Sequence, residues 1–597
     1  MELLNLDGVI EKGVFEIPSY QRGYAWQKEQ LKDFWNDLEH VSKLGDKFHY
    51  MHSLTLRGLE NELESSAFEI IDGQQRLATS LILLGLLAKT TQNKDPKYSL
   101  INLEPILSYK YYGLNEAFRA IMEEEKDLER FQTSFYAKNL IEAYEFFQEK
   151  ISDTPMETLE KMFDALTKKM LFSVVELNDN RIDPFSSFET INNRGKDLST
   201  LELLKNRLHF VSHKICDEED LENLQQEINN TYTLIYHDLR HFKDDHLEDF
   251  LKHFVAYYYG EKSKFKERLL NTAFDAHKKY DDLYDEYEKI NDLLFYLSHS
   301  SKVWYFLHTL DDEELRIEIT PKMRDLLDKM RRLNALIENA FLPLLLSLLT
   351  IQLAVRSGSE RHYTTKELEG LLEYLERFGF LIYGVAGKNT AKNEWIESAF
   401  QAFKAYRDGE ENTSIKNLPL LEKSFFNKHK NSALELLEES IHSKKNTEKW
   451  YRWGKALNYL LYEYELYHNP ETTLNFDSSI ESIEHILPQK PDQGYSTKEK
   501  SWAKNPHIVH ALGNLLLIPK NANSSLSNKP FEEKRKEYLK GSYSEKEVAK
   551  NASFGVAQIK ERSEKLLDFL IVHYRIAELV GESAIKAFKN ALLKDIE

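Results

Sequence analysis

Residues 68–90 read FEIIDGQQRLATSLILLGLLAKT. The apolar run FEII predicts a buried strand, the Asp-Gly pair after it predicts a tight turn, and the remaining residues predict a helix from about Gln75 to Thr90. A strand that ends in Asp-Gly and opens into a helix gathers free backbone N–H groups and the positive end of the helix dipole around one point. This stretch therefore predicts either an anion-binding junction or, more simply, an ordinary helix cap with surface Gln and Arg side chains.

Two other segments place arginine and amide side chains directly after strand-like sequence. They are IPSYQRGYAW at residues 17–26, where Pro18 stops a strand, and FETINNRGKDLS at residues 188–199, which follows the strand-like MLFSVVELND. Three such junctions predict one convergent phosphate-binding pocket, and the chain has no G-x-x-x-x-G-K-[ST] motif of a P-loop. The candidate pocket residues are Tyr20, Gln21, Arg22, Asp72, Gly73, Gln74, Gln75, Arg76, Asn193, Arg194 and Lys196. Asp72 could hold a metal ion or cap the helix.

The chain has 597 residues, which exceeds the size of one hydrophobic core and predicts several domains. Cys216 is the only cysteine, so the chain can form neither an intrachain disulfide nor a thiolate metal cluster. The first residues, MELLNLDGVIEKG, lack the basic and long apolar parts of a signal peptide. The apolar run FLPLLLSLLTIQLAV is short for a membrane span and predicts a buried core helix. We therefore expect a cytoplasmic protein with no membrane contact.

The net charge of −19 gives no general attraction to nucleic acid. The segment from Lys490 to Lys560 differs, because it carries 13 Lys and Arg against 7 Asp and Glu, a local balance of +6. A basic face of this kind suits a phosphate backbone, although a solvated helix surface gives similar counts. Between about Phe210 and Pro470 the spacing of apolar residues predicts helices almost throughout, without a fixed repeat.

The three N-terminal motifs, in this order, resemble the N-terminal ParB-like domain of the GmrSD family of modification-dependent (type IV) restriction enzymes. The resemblance covers roughly the first 210 residues and implies a pocket that binds and hydrolyses a nucleoside triphosphate. Its matching positions are Gln21, Arg22, Asp72, Gly73, Gln74, Gln75 and Arg76. One departure concerns the segment YMHSL, in which His52 stands where the family pattern has a small residue. The resemblance therefore does not determine the shape of the pocket beside this strand.

The C-terminal stretch SIEHILPQ, residues 482–489, and the later LGNLLLIPKNANSS resemble the HNH nuclease fold, a two-strand hairpin followed by a helix. The resemblance is carried by Glu484, His485, Asn514 and Asn523. It implies that His485 is the general base and that Glu484 and Asn523 bind a divalent metal ion, while Asn514 fixes the loop and orients the imidazole. These are the groups that phosphodiester hydrolysis requires.

Many HNH domains are braced by a zinc ion held by two Cys-x-x-Cys pairs. Pro519 and Ala522 stand at the equivalent places, so we expect no zinc, as in the GmrSD-type HNH domain. His507 and His510 flank the same site. They are candidates for phosphate contact or exposed surface histidines.

The expected fold class is α+β and mostly helical. We expect a ParB-like mixed α/β nucleotide-binding domain at 1–210, a helical linker domain at 211–470, and a ββα (HNH) endonuclease domain with a helical extension at 471–597. Expected cofactors are Mg²⁺ or Mn²⁺ and a nucleoside triphosphate (GTP, ATP or another). Expected partners are double-stranded DNA, with modified phage DNA as the target, and a second copy of the chain in a homodimer.

These features predict a nucleotide-regulated, metal-dependent DNA endonuclease, with an NTPase at its N-terminus, that restricts phage DNA according to its modification state. Within the nuclease class, the same motifs also suit a sensor of backbone modification such as phosphorothioate. Outside it, they suit a nucleotide-sensing DNA-binding protein with an inactive HNH domain, or an RNA-cleaving abortive-infection toxin. The sequence is compatible with any of these nucleotides, with activation or inhibition of cleavage by the nucleotide, and with either a nick or a double-strand cut.

Overall fold

The structure of this chain is a computed structural model with two compact units, Met1–Phe306 and Leu307–Glu597. The residues that it describes are 2–45, 47–59, 66–93, 95–110, 113–177, 198–242, 244–275, 278–280, 282–313, 315–355, 363–385, 387, 391–409, 415, 453–476, 480–491, 494–593 and 596. The predicted turn with Asn193, Arg194 and Lys196 lies outside these residues.

A mixed six-stranded sheet forms the centre of the first unit. Its strands are β1 (Glu2–Asn5), β2 (Val14–Ile17), β3 (His49–Leu59), β4 (Ala67–Asp72), β5 (Leu107–Tyr109) and β6 (Met170–Glu176). Their order is β1-β6-β3-β4-β2-β5, with β1 antiparallel to β6 and β3 antiparallel to β4, while β3–β6, β2–β4 and β2–β5 are parallel. The strands predicted before Pro18, before Asp72 and in MLFSVVELND are confirmed as β2, β4 and β6.

Helices cover the sheet and continue beyond it. Those up to Thr309 are Leu6–Lys12, Lys28–Lys43, Gln74–Thr90, Leu100–Leu103, Leu114–Met122, Phe135–Ser152, Met156–Lys168, Thr200–Ile215, Glu218–Asp238, Asp244–Tyr258, Phe265–Glu267 and Leu283–Thr309. The helix Thr200–Ile215 begins with a capping box between Ser199 and Glu202, as the S-x-x-E pattern predicts.

Most residues of the Gln74–Thr90 helix are buried. After its polar first turns the helix is apolar around its circumference, and it packs against the helices Phe135–Ser152 and Met156–Lys168. A helix that is apolar on every side must be enclosed, because water contact on any face would expose apolar surface. This burial fixes the position of the polar residues at its N-terminus relative to the sheet.

Among the residues that the structure describes, the regular elements of the second unit are helices apart from one hairpin. Its helices are Pro321–Ile337, Leu342–Ala354, Thr365–Phe378, Lys392–Arg407, Lys455–His468, Thr497–Lys504, Pro506–Val509, Lys520–Leu526, Phe531–Tyr538, Tyr543–Ala549, Val556–His573, Ala577–Val580 and Glu582–Leu593. The hairpin pairs β7 (Glu481–His485) with β8 (Leu515–Pro519) in antiparallel register. The apolar run after Phe341 is a buried helix, as predicted. None of the helices described is long and apolar enough to cross a membrane.

The expected fold class is therefore confirmed as α+β and mostly helical, with a small mixed sheet near the N-terminus.

Candidate functional site

The junction between β4 and the Gln74–Thr90 helix turns at Gly73, which caps the helix with a left-handed φ of 101°. A Cβ at this position would lie 3.0 Å from the carbonyl oxygen of Ser53. Glycine is needed both for its φ and for this close approach. The turn leaves the first backbone N–H groups of a 17-residue helix without partners inside the helix. The predicted strand, turn and helix are therefore present, and anion binding at this junction stays a prediction.

The two glutamines that follow Gly73 hold the first motif against the second. Gln74 donates through Nε2 to the carbonyl of Arg22 at 2.8 Å. Gln75 donates to the carbonyl of Gly23 at 2.9 Å and accepts from the N–H of Ala25 at 2.8 Å. The structure thus joins two of the three predicted junctions, and their glutamine N–H groups bind protein backbone.

The loop after β2 is buried as well. Tyr20, Gln21 and Arg22 are each less than 9% exposed, and Gln21 donates to the carbonyl of Ile70 in β4. A Cβ at Gly23 would lie 2.5 Å from the ring of Tyr136, so the loop passes this ring only as glycine. The candidate residues of this loop therefore line the junction from inside the fold.

Asp72 and Arg76 form an ion pair at the surface side of the junction. Arg76 Nη2 lies 3.1 Å from Asp72 Oδ2 and 2.8 Å from the carbonyl oxygen of Ser53, and the Ser53 hydroxyl donates to the same Asp72 oxygen at 3.1 Å. The two charged side chains are 23% and 20% exposed, respectively. They are thus the charged groups of this junction that solvent reaches.

His52 occupies a position of β3 where the backbone is left-handed, with φ of 65°. The pairing of β3 with β6 changes register between Tyr50 and Ser53, so His52 lies in a bulge. Glycine adopts this conformation without strain, which explains physically why a small residue suits the position. In this chain His52 adopts the conformation with an exposed imidazole next to Ser53.

The second candidate site lies at the β7–β8 hairpin, which is followed directly by the helix Lys520–Leu526. Asn514, at the entrance to β8, is fully buried. Its Oδ1 accepts from the N–H of Leu487 at 2.8 Å, and its Nδ2 donates to the carbonyls of Leu487 and Val509 at 3.0 and 2.7 Å. Asn514 therefore ties together the chain after β7 and the chain before β8, in line with the expected loop-fixing role. Its own bonds go to backbone atoms rather than to the imidazole of His485.

His485 ends β7 and is 7% exposed. Its Nε2 lies 3.1 Å from Nδ1 of His510, and the amide nitrogen of Gln489 lies 3.4 Å from each of its ring nitrogens. Burial lowers the pKa of His485 to about 3, and the charges of His510 and Lys534 act in the same direction. The imidazole is therefore neutral near pH 7, as a general base must be before it accepts a proton.

Glu484 precedes His485 in the strand, so the two side chains leave opposite faces. It is 4% exposed, and its Oε1 accepts from Lys534 Nζ and, at 3.1 Å, from the hydroxyl of Tyr538. Burial raises the pKa of Glu484, and the two donors oppose this effect. Asn523 donates through Nδ2 to the Ser482 hydroxyl at 2.8 Å and to the carbonyl of Ile483 at 3.2 Å.

As they stand, Glu484 and Asn523 do not fit a shared divalent cation. A cation at Glu484 would have to displace a buried ammonium group, and Mg²⁺ also keeps several water ligands for which a 4% exposed carboxylate leaves little room. In the part of the chain that the structure describes, no group of three or more His, Cys, Asp or Glu is placed to hold a metal ion. The assignment of Glu484 and Asn523 as metal ligands stays a prediction that requires Glu484 to leave Lys534.

The sequence places His510 beside this site, as a phosphate contact or an exposed surface histidine. It is 8% exposed and borders His485, so it is not an exposed surface residue. Sequence reasoning missed one residue of the site, Lys534. Lys534 is fully buried. Its spacing with Phe531 and Tyr538 places all three on one face of a helix, and this periodicity was the available signal for its burial.

The two ends of the chain match known protein families. The N-terminal domain of the GmrSD restriction endonuclease matches residues 3–209, and the C-terminal domain of GmrSD restriction endonucleases matches residues 435–569. The two matches include both candidate sites and together cover more than half of the chain. They define a restriction endonuclease, for which DNA is the partner.

The chain belongs to the GmrSD family of type IV restriction enzymes. Comparison with curated proteins finds no match.

Proposed function

We propose that this enzyme is a nucleotide-regulated endonuclease of the HNH type that cuts phage DNA according to its modification. The observation that carries the nuclease part is the neutral, buried His485 at the end of a hairpin that Asn514 locks. His485 would take a proton from the attacking water, while the exposed lysines between residues 490 and 540 would bind the DNA backbone. These lysines are Lys490, Lys498, Lys500, Lys504, Lys520, Lys529, Lys536 and Lys540.

We also propose that the N-terminal domain, which would be ParB-like, binds and hydrolyses a nucleoside triphosphate at the β4–helix junction. The free amides after Gly73 would bind a phosphate group at the positive end of the helix dipole. Arg76 would add a charge-assisted contact through the guanidinium nitrogens that do not bind Asp72. Nucleotide state would then bias the activity of the nuclease.

A requirement for Mg²⁺ or Mn²⁺ is part of this proposal, because phosphodiester hydrolysis develops charge that a divalent cation neutralises. The same two sites suit sensing of base or of backbone modification, with GTP, ATP or another nucleotide, by one chain or by a dimer.

The test is incubation of the purified protein with modified and unmodified phage DNA, with and without each nucleotide and Mg²⁺ or Mn²⁺, beside the variant His485→Ala. We expect cleavage that depends on modification, and a loss on the order of 10²- to 10⁴-fold in the variant. Both proteins should melt alike and hydrolyse nucleotide alike. Equal cleavage by the variant would refute His485 as the base. Cleavage of RNA alone would favour an RNA-cleaving toxin, and binding without cleavage would favour an inactive HNH domain.

A further inference from the structure

Two buried imidazoles face each other at the nuclease site. The rings of His485 and His510 meet edge to face at 80°, with Nε2 of the first 3.1 Å from Nδ1 of the second. Neutral imidazole has one N–H donor and one acceptor nitrogen. Two nitrogens at this distance form a hydrogen bond only if one of them carries the proton, so the contact couples the tautomers of the two rings.

We propose that His510 is a positioning residue that accepts the Nε2–H of His485 at its Nδ1. This inference rests on the proposed role of His485 as general base. Only this direction leaves a lone pair on Nδ1 of His485, the ring nitrogen that does not face His510. In the reverse direction the lone pair of His485 would point at His510, and water could not reach it. The amide nitrogen of Gln489 lies 3.4 Å from both Nδ1 and Nε2 of His485, so it can donate to a lone pair on Nδ1 in this arrangement but does not decide between the two directions.

Asn514 holds together the two segments that carry His485 and His510, which are 25 positions apart in the sequence. It binds the backbone of Leu487, two residues after His485, and the carbonyl of Val509, the residue before His510. The side chain thus clamps together the two segments that carry the histidines. Asn514 orients the imidazole of His485 through this clamp and through His510, rather than by direct contact.

The chemical step balances with these groups. The oxygen of water forms a bond to phosphorus as one of its protons passes to Nδ1 of His485, and the bond from phosphorus to the leaving oxygen breaks. The leaving oxygen takes a proton from solvent. His485 becomes an imidazolium whose Nε2–H stays bonded to His510, and this bond strengthens as the charge develops. Gln489 is exposed and can turn away when DNA enters.

The experiment compares His510→Leu, which keeps the side-chain volume but removes the acceptor, with His510→Asn, whose side-chain oxygen can replace Nδ1. Both are made in the full chain, and cleavage is measured well below the melting temperatures of both. We expect His510→Leu to lower kcat about 10- to 100-fold, by analogy with the partners that fix metal-bound histidines, with KM for DNA unchanged. His510→Asn should recover most of the loss.

Equal loss in the two variants, or parental activity in both, would overturn the inference. Binding of Mn²⁺ alone that both His485→Ala and His510→Leu abolish would also overturn it, since the pair would then be metal ligands. The variant His485→Ala is measured in parallel. If it cuts DNA at the parental rate, the proposed function fails; if it is inactive while both His510 variants are fully active, only the positioning role fails.

Discussion

The ammonium group of Lys534 lies fully buried against the carboxylate of Glu484 and also donates to the carbonyls of His485 and Ile486. One side chain thus satisfies the acidic residue of the EH pair and the backbone at the end of β7. Burial raises the pKa of Glu484 and lowers that of Lys534, so each charge depends on the other. The pair braces the strand that carries His485.

Glu484→Gln is expected to destabilise the second unit by roughly 3–5 kcal/mol, because it leaves the Lys534 charge buried without its counterion. Adding Lys534→Met should restore most of this stability. Denaturant unfolding of the two single variants and the double variant measures the coupling. If Glu484→Gln unfolds like the parent but needs far more Mg²⁺ for cleavage, Glu484 is a metal ligand and the bracing role is wrong.

Arg76→Ala should sharply reduce nucleotide hydrolysis and change the rate of DNA cleavage, with little change in melting temperature. The pair joins the end of β4 to the first turn of the helix and is partly exposed, so its loss costs about 1 kcal/mol or less. Asp72→Ala should behave likewise. Hydrolysis, cleavage and melting are measured on the same samples.

The control for Arg76→Ala is Lys161→Ala, which removes a more exposed i,i+4 pair with Glu157 within a helix of the first unit. This control should retain both activities. A parallel fall of stability and both activities in Arg76→Ala would mean that Arg76 only braces the helix. Loss of hydrolysis with parental cleavage, in the presence and absence of nucleotide, would disprove coupling.

Chelation should abolish DNA cleavage, and added Mg²⁺ or Mn²⁺ should restore it, because phosphodiester hydrolysis needs charge neutralisation at phosphorus and at the leaving oxygen. Elemental analysis of the purified protein is expected to find no stoichiometric zinc, since the cysteine pairs of zinc-braced HNH domains are missing from the sequence. Full cleavage in excess chelator, or one tightly held zinc per chain, would contradict these expectations.

Glu376 should make the stability of the second unit depend on pH. Burial raises its pKa to about 7, with the charge of Glu463 acting in the same direction and Lys329 and a hydrogen bond from Tyr459 opposing it. Because its pKa is raised in the folded state, the protonated form of Glu376 favours folding. The contribution of Glu376 to stability is complete below its ordinary pKa of 4.5 and is lost as pH rises through about 7. The shift corresponds to about 3 kcal/mol.

Glu376→Gln, which stays neutral, should therefore melt at a higher temperature than the parent at pH 8 and at a similar temperature at pH 5. Thermal unfolding across this range is the measurement. Identical melting curves for both proteins at pH 8 would mean that Glu376 is accommodated as a charged group.

Local sequence determined the elements that carry both sites. The β4–turn–helix junction and the capped helix after Ser199 followed from apolar periodicity, turn residues and capping patterns. The segment that carries Glu484 and His485 and the segment that follows Asn514 were strand-like in sequence, and their pairing as a hairpin followed from the resemblance to the HNH fold. Each of these signals involves only a few neighbouring residues. They can therefore be recognised without knowing which segments pack together in the fold.

Tertiary structure decided which polar groups meet. Gln74 binds Arg22 across 52 positions, Glu484 binds Lys534 across 50, and His485 meets His510 across 25. The sequence contains all of these residues, but a buried polar side chain takes its partner from whichever segment packs beside it. That packing is set by the burial of whole helices and strands, so candidate residues such as His485 and Asn514 could be named from the sequence. The part played by Lys534, and the pairing of all these groups, became visible only in the folded chain.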